Sequence, residues 1–319
     1  MLELLIPLKK TVNQSAKYDL TNWLDTMPDG AAWYVISDYC FGDKTKQNDT
    51  VSFTVLLHHD KLENIKEYIN HFAPRDIKST RTVSVEFLQY INSPVSFSFT
   101  FVIDRKSNLL RDYATDENML SFLPAFRSVI SDIASNSTFQ DGYIDGVIKR
   151  VKAFESDFSK KNFNSKLARQ IYIVSAFASV VFEILSIAKK PKYIQWVSDR
   201  DALLERYDSF VFDLAYFLFL QGYSEHFERT ENSVLMLDTP QFIFPEPEKS
   251  GKNHFDELIR IPDYLAGTLA DFDVSSNKFS KDKYDTILLN SLVNSRNQAV
   301  IYVTGKGNEL LCKRLVHEA

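Results

Sequence analysis

Cysteine is almost missing from this 319-residue chain: Cys40 and Cys312 are its two copies. Two thiols are too few for a disulfide framework or a zinc knuckle, so a reducing, cytoplasmic setting is the expectation. An excess of positive charge is missing as well. The formal net charge is -5, which supplies no global basic field for nucleic acid, although a local basic face is compatible with an acidic total. The start, Met1-Leu2-Glu3-Leu4-Leu5-Ile6-Pro7, places an acid where a secretory signal carries positive charge, and its apolar run is short. Long apolar runs are scarce: residues 171–188, with Glu183 their sole charge, come near membrane-spanning length. Ser175, Ser179 and Ser186 dilute that run and no second one accompanies it, so a core helix is expected and no membrane partner. Thr304-Gly305-Lys306-Gly307 lacks the spacing of a phosphate-binding loop and reads as a turn. No internal repeat or low-complexity tract is visible.

What is present is ordinary for a globular protein, with 45% apolar and 25% charged residues. A chain of this length can bury a large core in one elaborated α/β domain or in two. The front reads as α/β. A helix around Tyr18–Met27 and an Asp29-Gly30 turn precede a strand at 33–38, a polar loop, and a second strand around Val51–Leu57. Helical spacing covers 60–72 and Val83–Tyr90. Phe97, Phe99 and Phe101 alternate with Ser96, Ser98 and Thr100, the clearest period-two strand in the chain. From Asn118 to Lys190 the pattern is helical throughout, with segments at Met119–Ile133, Tyr143–Phe158 and Lys166–Ala188. A strand at 193–198 resumes the α/β alternation. An aromatic helix at Phe210–Phe219 and a strand near Val234–Leu237 follow. Pro240, Pro245 and Pro247 mark a loop before the helix Phe255–Phe272, which Pro262 kinks or begins. The tail reads as a helix near Tyr284–Val293, a strand at Val300–Val303 and a last short helix.

Four aspartates stand out against this frame. Asp38 ends the apolar run Trp33-Tyr34-Val35-Ile36, and Asp76 sits in Arg75-Asp76-Ile77-Lys78. Asp199 closes Tyr193-Ile194-Gln195-Trp196-Val197 with Asp201 just behind it, and Asp263 lies in Ile261-Pro262-Asp263-Tyr264-Leu265-Ala266-Gly267. Carboxylates at the ends of buried strands are expensive to desolvate unless something neutralises them. A shared divalent cation removes that cost and makes metal-dependent chemistry the first hypothesis. Each residue also has a plainer reading. Asp38 is a turn former after a strand, Asp76 part of a solvated surface, Asp263 a charge at a helix start, and Asp201 the cap of the next helix.

The order of strand-end acid, hairpin, helix, acid near lysine, strand, strand-end acid and acid-bearing helix resembles that of RNase H-like nucleases. Within them the chain resembles the bacterial family called domain of unknown function 3800. Ile36-Ser37-Asp38, Asp76-Ile77-Lys78 and Pro262-Asp263-Tyr264-Leu265-Ala266-Gly267 match its three short motifs, over about residues 30–272. Two departures bear on the site. Tyr39-Cys40-Phe41 replaces the family's Glu-Ser-Gly, which removes a neighbouring carboxylate, and the middle acid is Asp rather than the usual Glu. The resemblance implies an RNase H-like mixed sheet flanked by helices, with 1–112 and 191–319 as the two parts of the core and 113–190 as a helical insertion. It implies two-metal phosphodiester hydrolysis with Mg²⁺ or Mn²⁺, in bacterial defence or mobile-element biology. Asp38 would bridge the ions, Asp76, Asp199 and Asp263 would complete the shell with Asp201 nearby, and Lys78 would orient the scissile phosphate.

A substrate surface is a further expectation. Lys149, Arg150, Lys152, Lys160, Lys161, Lys166 and Arg169 interleave with Phe154, Phe158 and Phe163 in the helical stretch, which suits either a DNA- or RNA-facing surface or a solvated amphipathic helix. A catalytically inactive scaffold that binds nucleic acid or a protein partner, including a second copy of the chain, is the alternative from another function class. Lesser candidates are His58-His59-Asp60 as metal ligands, whose adjacent side chains point to opposite faces of a strand, and Cys40 as a nucleophile. Glu183 is expected either to pair with a buried base or to face the site.

Overall fold

A computed structural model describes residues 5–135, 142–158, 160–231, 240–245, 254–306 and 309–317. Its centre is a seven-stranded mixed sheet in the order β5-β4-β1-β2-β3-β6-β7. The strands are β1 (Ala32–Cys40), β2 (Asp49–Leu57), β3 (Ser96–Ile103), β4 (Tyr193–Ser198), β5 (Gln241–Ile243), β6 (Gln298–Lys306) and β7 (Glu309–Leu315). β2 runs antiparallel to both β1 and β3, β4 runs parallel to β1, and β6 runs parallel to β3. The C-terminal ends of β1, β4 and β3 therefore share one sheet edge with the start of β2.

Period-two alternation sends side chains into two separate apolar clusters, one on each face. Trp33, Val35, Phe97, Phe99, Phe101 and Trp196 join one of them. That face is covered by α1 (Leu5–Thr11), α2 (Lys17–Asp25), α6 (Asp116–Ser135), α7 (Tyr143–Asp157), α8 (Ser165–Lys189) and α10 (Phe210–Glu231). Tyr34, Ile36, Val102 and Val197 join the other, under α3 (Leu62–Phe72), α4 (Val85–Ile91), α11 (Asp256–Asp271) and α12 (Asp282–Ile287). The result is a three-layer α/β architecture.

The second face carries an unusual row of small polar groups. Ser52 Oγ bonds Thr100 Oγ1 and Thr54 Oγ1 bonds Ser98 Oγ, each at 2.9 Å, while Thr50 Oγ1 donates to the carbonyl of Ala266 at 2.9 Å. Through Thr50 this row meets the Ala266 carbonyl, so α11 lies on the sheet with these buried hydroxyls paired.

The apolar stretch 171–188 forms the middle of α8. It is long and apolar enough to cross a membrane, but most of it is buried between the sheet and α10. Its one charge, Glu183, pairs with Lys9 at 2.5 Å, and Gly222 leaves room for that pair. Glu183 thus takes the first of its two expected roles. The helices of 113–190 form a layer continuous with the sheet's own apolar cluster.

Three expectations are corrected. The last short helix is β7, whose Cys312 and Lys313 pair with Val303 and Tyr302 of β6. The proline-marked loop contains β5, a three-residue edge strand. Pro262 neither begins α11 nor ends it; the helix starts at Asp256. The strand expected at Val234–Leu237 lies outside the described residues.

Candidate active site

The strand parity that buries Ile36 and Val197 under α11 also points Asp38 and Asp199 to that face, at the shared sheet edge. Asp263 comes down from the α11 helix, and Asp76 comes from the turn after α3. All four line one cleft of about 1120 Å³ together with Lys78. The structure brings these five sequence-predicted residues to the same cleft.

Asp201 stands just outside the lining. Its Oδ1 accepts from Leu203 N at 2.8 Å and caps the short helix α9 (Ala202–Glu205). Its charge still reaches the cleft, raising the Asp38 carboxyl, and Asp199 raises Asp201 in turn.

The electrostatics are those of crowded, poorly compensated carboxylates. Burial pushes the Asp38 carboxyl well above its usual range, and Asp263 and Asp199 push it further; the N–H of Tyr39 acts weakly against them. Asp263 is raised to about 7, chiefly by burial and then by Asp76 and Asp199, against a hydrogen bond from Ile77 N. Asp199 is raised by burial, with Asp256 and Asp76 adding to the shift. Asp201 reaches about 6 for the same first reason. Like charges held near one another in low dielectric favour protons or cations.

Individual oxygens are nevertheless committed locally. Asp263 Oδ2 accepts from Ile77 N at 2.7 Å, and Asp199 Oδ1 accepts from Arg200 N at 2.8 Å. Among the described residues, no three His, Cys, Asp or Glu side chains are gathered closely enough about one point to hold a metal ion. The acids share a cleft without forming a closed coordination shell.

Sequence reasoning missed several members of the cleft. Asp256, in the first turn of α11, and Asp43, in the β1–β2 loop, bring the carboxylates lining the cleft to six. Lys46 ties the β1–β2 loop to the far wall: its Nζ donates to Gly267 O at 3.0 Å and to Tyr284 Oη at 2.7 Å, and pairs with Asp271 at 3.2 Å. Lys283 donates to the carbonyls of Ile77 and Thr80 and fastens the Asp76 turn. Exposed Arg75, Lys78 and Lys281 line the cleft as cations. Acid in a helix's first turn was the available signal for Asp256. No local pattern marks Lys46, because its partners lie more than two hundred positions away.

Tyr39, beside Asp38, sits in a neutral network. Its hydroxyl bonds Ser37 Oγ at 2.7 Å and Ser198 Oγ at 2.9 Å, and Trp196 Nε1 donates to Ser37 Oγ.

The expected basic surface divides in two. Arg150 Nε pairs with buried Asp213 at 2.6 Å and its Nη1 reaches Asp208, while Lys160 pairs with buried Asp157. Arg150 thereby holds α7 to α10, while the Lys160 pair is local to the end of α7. Lys149, Lys152 and Lys161 are exposed, and none of the five lines the cleft. His58 stacks on Tyr34 with ring centres 3.6 Å apart, and His58 and His59 also lie outside the cleft. Cys40 does line it, but burial raises its thiol to about 11, which suppresses the thiolate a nucleophile needs. Comparison of the chain with family models, with curated proteins and with solved structures gives no match.

Proposed function

We propose that the carboxylate cleft is an RNase H-like centre that hydrolyses phosphodiester bonds of DNA or RNA with Mg²⁺ or Mn²⁺. The observation that carries this reading is the meeting of Asp38, Asp76, Asp199 and Asp263, far apart in sequence, in one cleft at one sheet edge. The mixed sheet flanked by helices is compatible with that fold. Carboxylate oxygens are the hard donors these ions prefer, and the mutually raised proton affinities of Asp38 and Asp263 mark a deficit of positive charge. Asp38, Asp199 and Asp263 would hold the metal, with Asp76 at the exposed side. Bound there, the metal would supply an activated water and stabilise the leaving oxygen. One oxygen each of Asp263 and Asp199 accepts a backbone N–H, which leaves the other oxygen of each for a metal. Lys78, Arg75 and Lys281 offer positive charge for the phosphate.

The test is cleavage of labelled DNA and RNA with Mn²⁺ by the wild type and by Asp38→Asn. Activity confined to the wild type supports the assignment; equal activity in both removes it. The neutral Tyr39–Ser37–Ser198 network favours a second reading, an inactive scaffold that binds nucleic acid or a protein partner. Oligonucleotide binding without cleavage in any divalent ion would support it.

A further inference from the structure

We infer that a small basic cavity on the opposite face of the same sheet edge is a phosphate subsite for the strand bound in the cleft. The inference rests on the nucleic-acid reading above and names where that substrate would be held.

The cavity, of about 250 Å³, is bounded by Arg105, Arg111, Lys166, Arg169, Asp49 and Asp104. Asp49 begins β2 opposite Ile103 at the end of β3. In the next ladder Cys40 pairs with Thr50, so the cavity and Asp38 share the sheet edge. One loop separates them. Phe41 and Asp43 line the acidic cleft, and between them Gly42 donates its N–H to Asp49 Oδ1 at 2.7 Å. Gly42 adopts φ +69°, and a β-carbon there would collide with Lys166 Nζ. The Lys166 ammonium therefore rests on the loop that divides the two pockets.

The cavity's charges do not balance. Arg105 is paired with Asp49 and also donates to the carbonyls of Asp43 and Lys46, which fixes the dividing loop. Its Nη2 lies 2.6 Å from Asp49 Oδ1, so this guanidinium is spent on the aspartate and the loop carbonyls. Arg169 is balanced by Asp116 at 2.6 Å and donates to Ala114 O. Asp104 is occupied by Lys106 N and Thr304 Oγ1. Arg111 and Lys166 remain exposed, with no ion-pair partner among the described residues.

Two unpaired cations, Arg111 and Lys166, beside a small pocket suit a phosphate oxygen cluster. The volume is below the usual range for a whole small-molecule ligand, so it suits a phosphate and not a base with its sugar. A strand whose scissile phosphodiester lies among the aspartates would cross the 41–48 loop and place a later phosphate here.

The test measures binding of fluorescein-labelled single-stranded DNA and RNA 12-mers, and of a dinucleotide, by anisotropy in Ca²⁺. Wild type is compared with Arg111→Ala/Lys166→Ala and with the control Lys10→Ala/Lys17→Ala, which removes two exposed lysines of α1 and α2. The expected result is about tenfold weaker 12-mer binding in the first double variant, with a flatter salt dependence. The dinucleotide and the control should be unaffected. Equal 12-mer affinity in wild type and the first double variant overturns the subsite. So does thermal stabilisation of wild type by inorganic phosphate without any 12-mer binding, which would mean a free-anion site. Lost 12-mer binding in a protein that never cleaves upholds the subsite and removes the nuclease reading. Cleavage with unchanged binding does the reverse.

Discussion

Asp263 Oδ2 accepts the backbone N–H of Ile77 at 2.7 Å, joining residues 186 positions apart. That bond fixes α11 against the turn that carries Asp76 and Lys78. Asp263→Asn keeps an oxygen able to accept it but removes the charge that Asp38, Asp76 and Asp199 oppose. The variant is expected to melt at or above the wild-type temperature at pH 8, and to lose Mn²⁺-dependent cleavage at least about a hundredfold. Asp263→Ala orphans the Ile77 N–H and should cost about 1–3 kcal/mol. Thermal melts and a cleavage assay separate the two effects. An Asn variant with full activity would exclude Asp263 from the site.

The raised proton affinities set a pH dependence. Asp263 goes from an ordinary 3.8 to about 7 in the folded protein, so the fold binds its proton more tightly than the unfolded chain. Its contribution is fully present below about pH 4 and is lost as pH rises through about 7. Asp38 and Asp199 act in the same direction. His58, lowered to about 4 chiefly by burial, acts in the opposite one. Subtracting the melting curve of Asp263→Asn from that of the wild type in EDTA isolates the carboxylate. The difference should grow in the variant's favour from pH 5 to pH 8. Mn²⁺ should raise the wild-type melting temperature more at pH 8 than at pH 5, where protons compete. A metal response independent of pH would contradict this.

The sequence made the acids legible because strand parity is local. Trp33 to Asp38 and Tyr193 to Asp199 show which end and which face each carboxylate occupies once the strands are recognised. The Phe97–Phe101 alternation likewise revealed β3. Where partners are distant, the signal fails. Leu310-Leu311-Cys312 is a short apolar run that fits helix or strand equally, and pairing with β6 decides it. β5 gains its strand character from Lys192–Gln195 of the neighbouring segment and not from its own proline-flanked residues. The cations misled for a related reason. Charge runs show where lysines are dense, but not that Arg150 is spent on Asp213 while Lys166 lies at the sheet edge.

Gly267 sets how closely the Asp76 turn approaches α11. A β-carbon there would lie 2.6 Å from Ile77 Cγ2. Alanine favours a helix interior by about 1 kcal/mol, so any net loss of stability in Gly267→Ala reports the clash. The expected loss is about 1–3 kcal/mol, with cleavage reduced because Ile77 cannot shift without moving Asp76 and Lys78. Gly267→Ala/Ile77→Ala should be more stable than the sum of the single changes, with a coupling above about 1 kcal/mol in denaturant melts. Additive losses would place the strain elsewhere.

Arg150 distinguishes a packing cation from a binding one. Asp213 is 6% exposed, and burial raises its carboxyl while Arg150 and Tyr143 lower it. Removing the guanidinium leaves a buried acid without its partner, which costs about 3–5 kcal/mol when the pair is well desolvated. Arg150 is itself partly exposed, so the lower end is expected for Arg150→Ala. Arg150→Ala/Asp213→Asn should recover most of the loss, because the neutral amide tolerates burial better than the charge. Neither variant should change the salt dependence of oligonucleotide binding, whereas a phosphate-contacting arginine would lower that slope by about one unit. A fully stable Arg150→Ala with weakened binding would return this residue to the substrate surface and leave Asp213 satisfied by Tyr143 alone.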